Sequence, residues 1–218
     1  RLVNRPNLPV NFLNDNKNIY KLITVFDEET GELKSVKTAV VKNPKVDSKT
    51  FELFDHWENY FRDKNNVYYE NELYKMGLKK IEGADRNSFE VLNDEFSKDK
   101  NNVYYENKKL KGIDVKTFKK ISRLVDNFLI EDKNGFYIVE KDGNVTPIDS
   151  KEVDIENLSQ LAIKTNLYHD KDSMYFVKNH KLVKIKDAPK VDPYNLSTYN
   201  DKYINKYNVV YYLDTDEG

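Results

Sequence analysis

The sequence predicts an α+β fold of tandem repeats, each a β-hairpin or three-stranded meander followed by a short helix, stacked into an elongated array. Two observations carry this prediction. A turn motif recurs along the 218 residues, and a second motif of the pattern Asp-x-x-[Thr/Ser/Asn]-[Phe/Leu] follows each copy. A unit of about 35 residues cannot bury its apolar side chains alone, so neighbouring units must cover one another. A closed ring of blades is the alternative, but blades usually carry four strands and no recurring helix.

The turn motif defines the repeat. It reads DKNNVYYEN at 63–71 and again at 99–107, with weaker copies at 132–138 and 170–176. A divergent copy lies at 15–21, and an incomplete one lies at 206–212. The sequence therefore predicts one repeat array over residues 1–218, with units at about 15–58, 59–94, 95–126, 127–164 and 165–201 and a partial sixth unit at 202–218.

Each turn motif predicts a hairpin. Asp, Asn and Gly stabilise turns, and the strand-favouring residues Val103, Tyr104 and Tyr105 follow the turn that begins at Asp99. The polar stretch 106–109 then permits a second turn and a third strand.

The second motif predicts a helix start. An aspartate at the N-cap accepts hydrogen bonds from the free amides of the first turn. Around Asp114, the apolar residues Ile113 and Phe118 have the spacing of a hydrophobic staple, and Ile121 extends one apolar stripe. Equivalent aspartates stand at Asp47, Asp85, Asp154 and Asp192. The pattern therefore predicts a short helix after every hairpin.

Composition excludes several classes of function. Thirty-six basic residues balance 37 acidic ones, so no basic excess favours a nucleic-acid partner. The absence of cysteine removes disulfides and thiolate catalysis, and no apolar run reaches the roughly 18–20 residues of a transmembrane segment. Phosphate-binding glycine motifs are also absent, so the sequence predicts no cofactor.

No catalytic or metal site is predicted. His56, His169 and His180 occupy non-equivalent positions and lack the spacing of a zinc site. The turn aspartates have the oxygen chemistry that calcium prefers, but turn capping accounts for every copy without a metal. Acidic residues are numerous enough for a glycosidase pair, yet no two of them are singled out.

The stretch DKNNVYYENKKLKGIDVKTF at 99–118 resembles the repeat of the bacterial DKNYY family. The likeness is specific in the repeats that begin at Asp63 and Asp99, and it extends in weaker form over 15–212. The resemblance implies a bacterial protein with several copies of the repeat, exported or at the cell envelope rather than cytoplasmic. It supplies no catalytic residues.

The aromatic residue at the centre of each hairpin is the best candidate for ligand binding. Strand alternation places Val67 and Tyr69 on one face and Tyr68 on the other, which predicts a ladder of tyrosines along a half-exposed surface. Such a ladder suits glycans or peptides. The alternative is that each ring packs between repeats with its hydroxyl hydrogen-bonded. The candidate residues are Tyr68, Tyr104, Tyr137, Tyr175 and the single tryptophan, Trp57.

The repeat and the missing catalytic motifs together predict a non-enzymatic scaffold that binds a protein or a cell-envelope polymer, such as a glycan, along an extended surface. The alternative is a glycan hydrolase or another cell-wall-acting enzyme whose site is formed by non-repeated acids.

Overall fold

The computed structural model describes the backbone of residues 12–42, 44–54, 57–70, 77–161, 165–186, 188, 196–200, 203–206 and 209–212. Side chains are described up to residue 188, except those of Trp57 and Glu58. The chain divides into two compact halves, Arg1–Lys109 and Leu110–Gly218. Within the described ranges, no helix is long and apolar enough to cross a membrane.

Three antiparallel sheets form the N-terminal half, and in each sheet the strands pair in chain order. The first sheet contains β1 (Phe12–Asn14), β2 (Ile19–Phe26) and β3 (Leu33–Val40). The second contains β4 (Glu52–Phe54), β5 (Trp57–Arg62), β6 (Val67–Tyr69) and β7 (Lys79–Lys80). The third contains β8 (Glu90–Val91), β9 (Phe96–Lys98), β10 (Val103–Tyr105) and β11 (Lys108–Lys109).

The C-terminal half is built in the same way. Its first sheet contains β12 (Lys119–Arg123), β13 (Phe128–Asp132), β14 (Gly135–Val139) and β15 (Val145–Ile148). The next contains β16 (Ser159–Gln160), β17 (Leu167–His169), β18 (Met174–Lys178) and β19 (Lys181–Lys184). The last contains β20 (Leu196–Asn200), β21 (Tyr203–Lys206) and β22 (Val209–Tyr212).

The predicted hairpins are confirmed. β9 and β10 pair across the turn at 99–102, with Val103 opposite Lys98 and Tyr105 opposite Phe96. The third strand of the meander is also present, because β11 pairs with β10 through Tyr104 and Lys109. In each of the four four-stranded sheets, the turn motif therefore lies between the two central strands.

The predicted α+β class is wrong, because the described residues form an almost all-β protein. Asp47 does accept hydrogen bonds from the amides of Lys49 and Thr50, as an N-cap would, but β4 begins two residues after Thr50. Only the copy at Asp154 completes a helical turn, the 3₁₀ segment Ile155–Asn157, which is the sole helical segment among the described residues. The copy at Asp192 lies outside them.

The apolar residues that were predicted to form one stripe of a helix lie on opposite faces of a sheet instead. Phe51 packs with Phe12 of the first sheet, whereas Phe54 packs with Phe89 of the third. Residues an odd number apart on an extended chain point to opposite faces. The second sheet is thus buried on both faces, which is why apolar residues are needed at both positions.

The C-terminal half shows the same stacking. One cluster joins Leu129 and Ile138 of its first sheet to Tyr168 and Tyr175 of the next. Leu167, Met174 and Phe176 form a second cluster on the opposite face of that next sheet. The sheets whose side chains are described therefore pack face to face with the next sheet of their half, as a repeat that cannot bury its own core requires.

Candidate functional site: the repeated Asp-Tyr lock

The leading aspartate of each turn motif caps its own turn. Asp63 Oδ1 accepts hydrogen bonds from the backbone N–H groups of Asn65 at 2.7 Å and Asn66 at 2.8 Å. Asp99 and Asp170 bind the equivalent amides of their own turns at 2.7–2.9 Å. Capping of two amides fixes the turn geometry and satisfies donors that the strands leave free.

The other carboxylate oxygen joins the hairpin to the chain upstream. Asp63 Oδ2 accepts the Tyr68 hydroxyl at 2.7 Å and the backbone N–H of Asp47 at 2.8 Å. The same two donors recur at Asp99 (Tyr104, 2.8 Å; Asp85, 2.9 Å) and at Asp170 (Tyr175, 2.6 Å; Asp154, 3.1 Å). We call this set, a turn aspartate, the tyrosine five residues later and the amide of the upstream aspartate, the Asp-Tyr lock.

The lock at Asp132 differs in one bond. The amide of Asp114 donates to Asp132 Oδ2 at 2.7 Å, but the Tyr137 hydroxyl reaches Oδ1 instead, at 3.2 Å. The hairpin here closes tightly, because Asp132 pairs directly with Gly135. Gly135 has a φ of +145°, a conformation that L side chains rarely adopt.

The lysine after each turn aspartate adds a second connection to the upstream motif. The backbone N–H of Lys64 donates to Thr50 Oγ1 at 3.0 Å, and Lys64 Nζ lies 2.8 Å from the Asp47 carboxylate. Lys100 makes the same contacts with Ser88 and Asp85, and Lys133 makes them with Thr117 and Asp114. The lysine side chains are 60–64% exposed, so the ion pairs contribute little to stability.

Sequence reasoning missed these connections. It assigned the two motifs to separate elements, whereas the structure joins the second motif, in its copies at Asp47, Asp85, Asp114 and Asp154, to the turn aspartate that follows 14–18 residues later. The sequence signal for this connection is that a Thr or Ser in the second motif regularly accompanies an Asp-Lys pair in the turn motif that follows. Both sets of polar residues therefore serve the fold.

The pKa shifts describe a neutral tyrosine that donates to an ionised aspartate. Burial raises the pKa of Tyr175 to about 12, and the hydrogen bond to Asp170 adds to the shift. Burial and the aspartate also raise the pKa of Tyr68 and Tyr104. Burial alone would raise the pKa of Asp170, but the bonds donated by Tyr175 and by backbone amides outweigh it, and the pKa falls below its usual value.

Stability should accordingly decline at both ends of the pH scale. The pKa of Asp15 in the first turn is lowered from 3.8 to about 2 by amide hydrogen bonds and the Tyr20 hydroxyl, so its contribution is lost as pH falls from about 4 to 2. The pKa of Tyr175 is raised from 10.0 to about 12, so its contribution is lost as pH rises through that range. Urea denaturation across pH, with tyrosinate absorbance, measures both. Ionisation of all tyrosines near pH 10 in the folded protein would contradict the alkaline arm.

The tyrosines predicted to bind a ligand lie at different depths. Tyr68, Tyr104 and Tyr175 are at most 2% exposed, whereas Tyr137 is half-buried. Cluster membership confirms the alternation, since Tyr68 packs toward the first sheet and Tyr69 toward the third. The side chain of Trp57 lies outside the described residues, although its backbone is in β5. Ligand binding at these five positions stays a prediction.

Two of the three histidines are described, and one of them contacts a backbone carbonyl. His169 Nδ1 lies 3.2 Å from the carbonyl oxygen of Asp170, His180 is exposed, and His56 lies outside the described residues. No group of three or more His, Asp or Glu side chains suited to a metal is present in the described part of the chain.

One polar depression lies in the C-terminal half. Its volume is about 200 Å³, and the acids Asp126, Glu140 and Asp142 line it together with Gln160. All three acids are engaged: Asp126 lies 3.5 Å from the Lys141 ammonium, Glu140 accepts a hydrogen bond from Thr146, and Asp142 accepts hydrogen bonds from the backbone N–H and the side-chain amide of Asn144. These acids belong to no repeated motif.

Comparison with known protein families finds a match to the DKNYY family over residues 70–141. This segment of the chain is therefore similar to the DKNYY family. The matched segment covers the lock at Asp99, the upstream motif at Asp114 and the lock at Asp132, so it coincides with a part of the chain where the repeat is complete. Searches of curated proteins and of solved structures found no match to the chain.

Proposed function

We propose that this DKNYY repeat protein is a non-enzymatic scaffold that binds a protein or a cell-envelope polymer along an extended surface, after export to the cell envelope. The recurrence of the Asp-Tyr lock carries the proposal. Donors and acceptors at Asp63, Asp99 and Asp170 are the same, so the buried polar residues that the repeats share are committed to building the fold. Recognition then falls to the exposed positions around them.

The hairpin tips supply one such set of exposed positions. Their lysines, one in each of four locks, have side chains that are 60–65% exposed: Lys64, Lys100, Lys133 and Lys171. A group that recurs once per repeat suits a long ligand, because several weak contacts to one chain act together.

The test is co-sedimentation of the protein with insoluble cell-wall polymer, alongside retention on immobilised envelope proteins. We expect retention by one of the two, and stepwise loss when one, two and then four tip lysines are replaced by alanine. The matched control replaces four exposed lysines elsewhere: Lys111, Lys116, Lys151 and Lys181. Retention by neither material, or equal loss in the control, would contradict the proposal. Fractionation of the source cells tests export.

The polar depression favours a second candidate, a glycan hydrolase that uses non-repeated acids. Asp142 and Glu140 are the residues to test, because both line the depression. This candidate predicts release of soluble sugar from cell-wall material, with loss of release in the Glu140→Gln and Asp142→Asn variants. Binding without any sugar release would count against it.

A further inference from the structure

The hairpin of β2 and β3 differs from its counterparts in the other repeats. Both strands have eight residues, whereas the corresponding strands of the next four sheets have two to five. Five of the seven exposed large apolar residues in the described part of the chain lie in this hairpin: Ile23, Phe26, Leu33, Val36 and Val40. The extension therefore carries apolar surface that no described residue of the N-terminal half covers.

One face of the hairpin is uncharged at every cross-strand pair. The pairs on this face are Tyr20 with Val40, Leu22 with Thr38, Thr24 with Val36, and Phe26 with Leu33. We call these eight residues the uncharged face. Phe26, Leu33 and Val36 on it are 52–58% exposed, which is unusual for large apolar side chains that sit side by side.

The outer edge of β3 runs along this face and is positively charged. β3 is the last strand in the order β1-β2-β3, and no strand in the described ranges pairs with its outer side. Half of its backbone N–H and C=O groups therefore point away from β2 and can pair with another extended chain. The segment 33–42 contains Lys34, Lys37 and Lys42 and no acidic residue.

The hairpin is held ready for such pairing. Asp27 Oδ1 accepts hydrogen bonds from the amides of Glu29 and Thr30 at 3.0 Å, and the Asp27 amide donates to the Glu32 carbonyl at 2.8 Å. Gly31 supplies the positive φ, +70°, that closes the turn. A fixed edge lowers the entropic cost of adding a strand.

We propose that the outer edge of β3 binds an extended acidic segment of a partner protein, which adds a strand to the first sheet. Apolar residues of the added strand lie beside Val36 and Leu33 and extend the uncharged face. Its acidic residues alternate to the other side, where Lys37 stands, and Lys34 lies at the bulge. This inference names the partner class of the proposed function and therefore rests on it.

Charge decides between an acidic partner and a second copy of this chain. A second β3 would place two strands side by side that carry lysines and no acidic residue, and like charges on paired strands repel; Lys34 lies 3.7 Å from the Asp27 carboxylate, so Lys37 contributes most of this repulsion. An acidic strand meets the same lysines with attraction. The lysines thus exclude one occupant and select the other.

The experiment uses the full chain and two labelled nine-residue peptides, one alternating valine with glutamate and one alternating valine with lysine. Fluorescence anisotropy should show binding of the glutamate peptide that is about 10-fold tighter than that of the lysine peptide. The double variant Lys34→Glu/Lys37→Glu should reverse this preference. Lys111→Glu/Lys116→Glu, an equal charge change at exposed sites in the other half, should leave it unchanged.

Three outcomes would overturn the inference. The first is equal binding of both peptides, and the second is an equal loss of preference in the control variant. The third is reversible self-association, measured by sedimentation, that the Val36→Lys variant abolishes. That result would assign the edge to a second copy. All the substituted residues are exposed, so circular dichroism should stay unchanged. If the peptides fail while the protein still sediments with cell-wall polymer, the proposed function stands and only this partner class falls.

Discussion

Replacing Asp99 with alanine is expected to lower the free energy of unfolding by about 3–5 kcal/mol. The Asp99 side chain is 2% exposed and accepts hydrogen bonds from the amides of Asn101, Asn102 and Asp85 and from the Tyr104 hydroxyl. Alanine leaves these donors without their acceptor. Each buried donor then has lost its hydrogen bonds to water without gaining another, which destabilises the folded state. Urea denaturation followed by circular dichroism measures the change.

The control for this variant is Asp94→Ala. Asp94 is exposed and lies in the same sheet region, five residues upstream. We expect a change within about 0.5 kcal/mol, as for surface substitutions in general. Equal effects of the two variants would mean that the lock does not stabilise the fold.

Replacing Tyr104 with alanine should also cost about 3–5 kcal/mol, for a different reason. The ring is fully buried in the cluster that joins the second and third sheets, where it lies 6.0 Å from the Phe89 ring centroid. Its removal leaves a cavity between two repeats. Thermal and urea unfolding measure the loss, and a variant as stable as the parent would instead favour a ligand-binding role for this ring.

Two phenylalanine variants separate the ring from its hydroxyl. Tyr104→Phe keeps the ring but removes a donor to Asp99, so a loss of about 1–2 kcal/mol is expected. Tyr60 is equally buried, but its hydroxyl has no hydrogen-bond partner among the described residues. Tyr60→Phe should therefore be neutral or stabilising. Equal losses in the two variants would contradict the role given to the Tyr104 hydroxyl.

The hairpins could be predicted because their signals are local. Asp99 caps its own turn, and Val103 to Tyr105 have strand-favouring side chains with a period of two, so neighbours only a few residues apart determine the structure. The same locality explains why the family resemblance, which depends on these residues, could be stated from the sequence.

The helix could not be excluded from the sequence, because the hydrogen bonds of its N-cap do form. Thr117 donates both its amide and its hydroxyl to Asp114, yet the chain continues as β12 because the neighbouring β13 offers a ladder of backbone partners. Ile121, expected on a helical stripe, lies at a bulge between Lys120 and Ser122 and is 45% exposed. Tertiary pairing overrides a local capping signal here.

Sequence reasoning predicted the alternation of the tyrosines but not their depth. Alternation gives the face on which Tyr68 lies, whereas its exposure depends on whether a neighbouring sheet covers that face. Phe12 and Phe51 cover it. The opposite case is the hairpin of β2 and β3, whose apolar face has the same kind of sequence and no cover among the described residues. The sequence of a single repeat does not show whether a neighbouring sheet covers its apolar face.

The Asp-Tyr lock also has a consequence for folding order. Its bonds join residues that are 5 and 14–18 positions apart, so each lock closes only a short loop. Short loops cost little entropy, and chains dominated by near-neighbour contacts fold fast. The contacts within one meander can therefore form early, before the neighbouring meanders pack on it and complete its core.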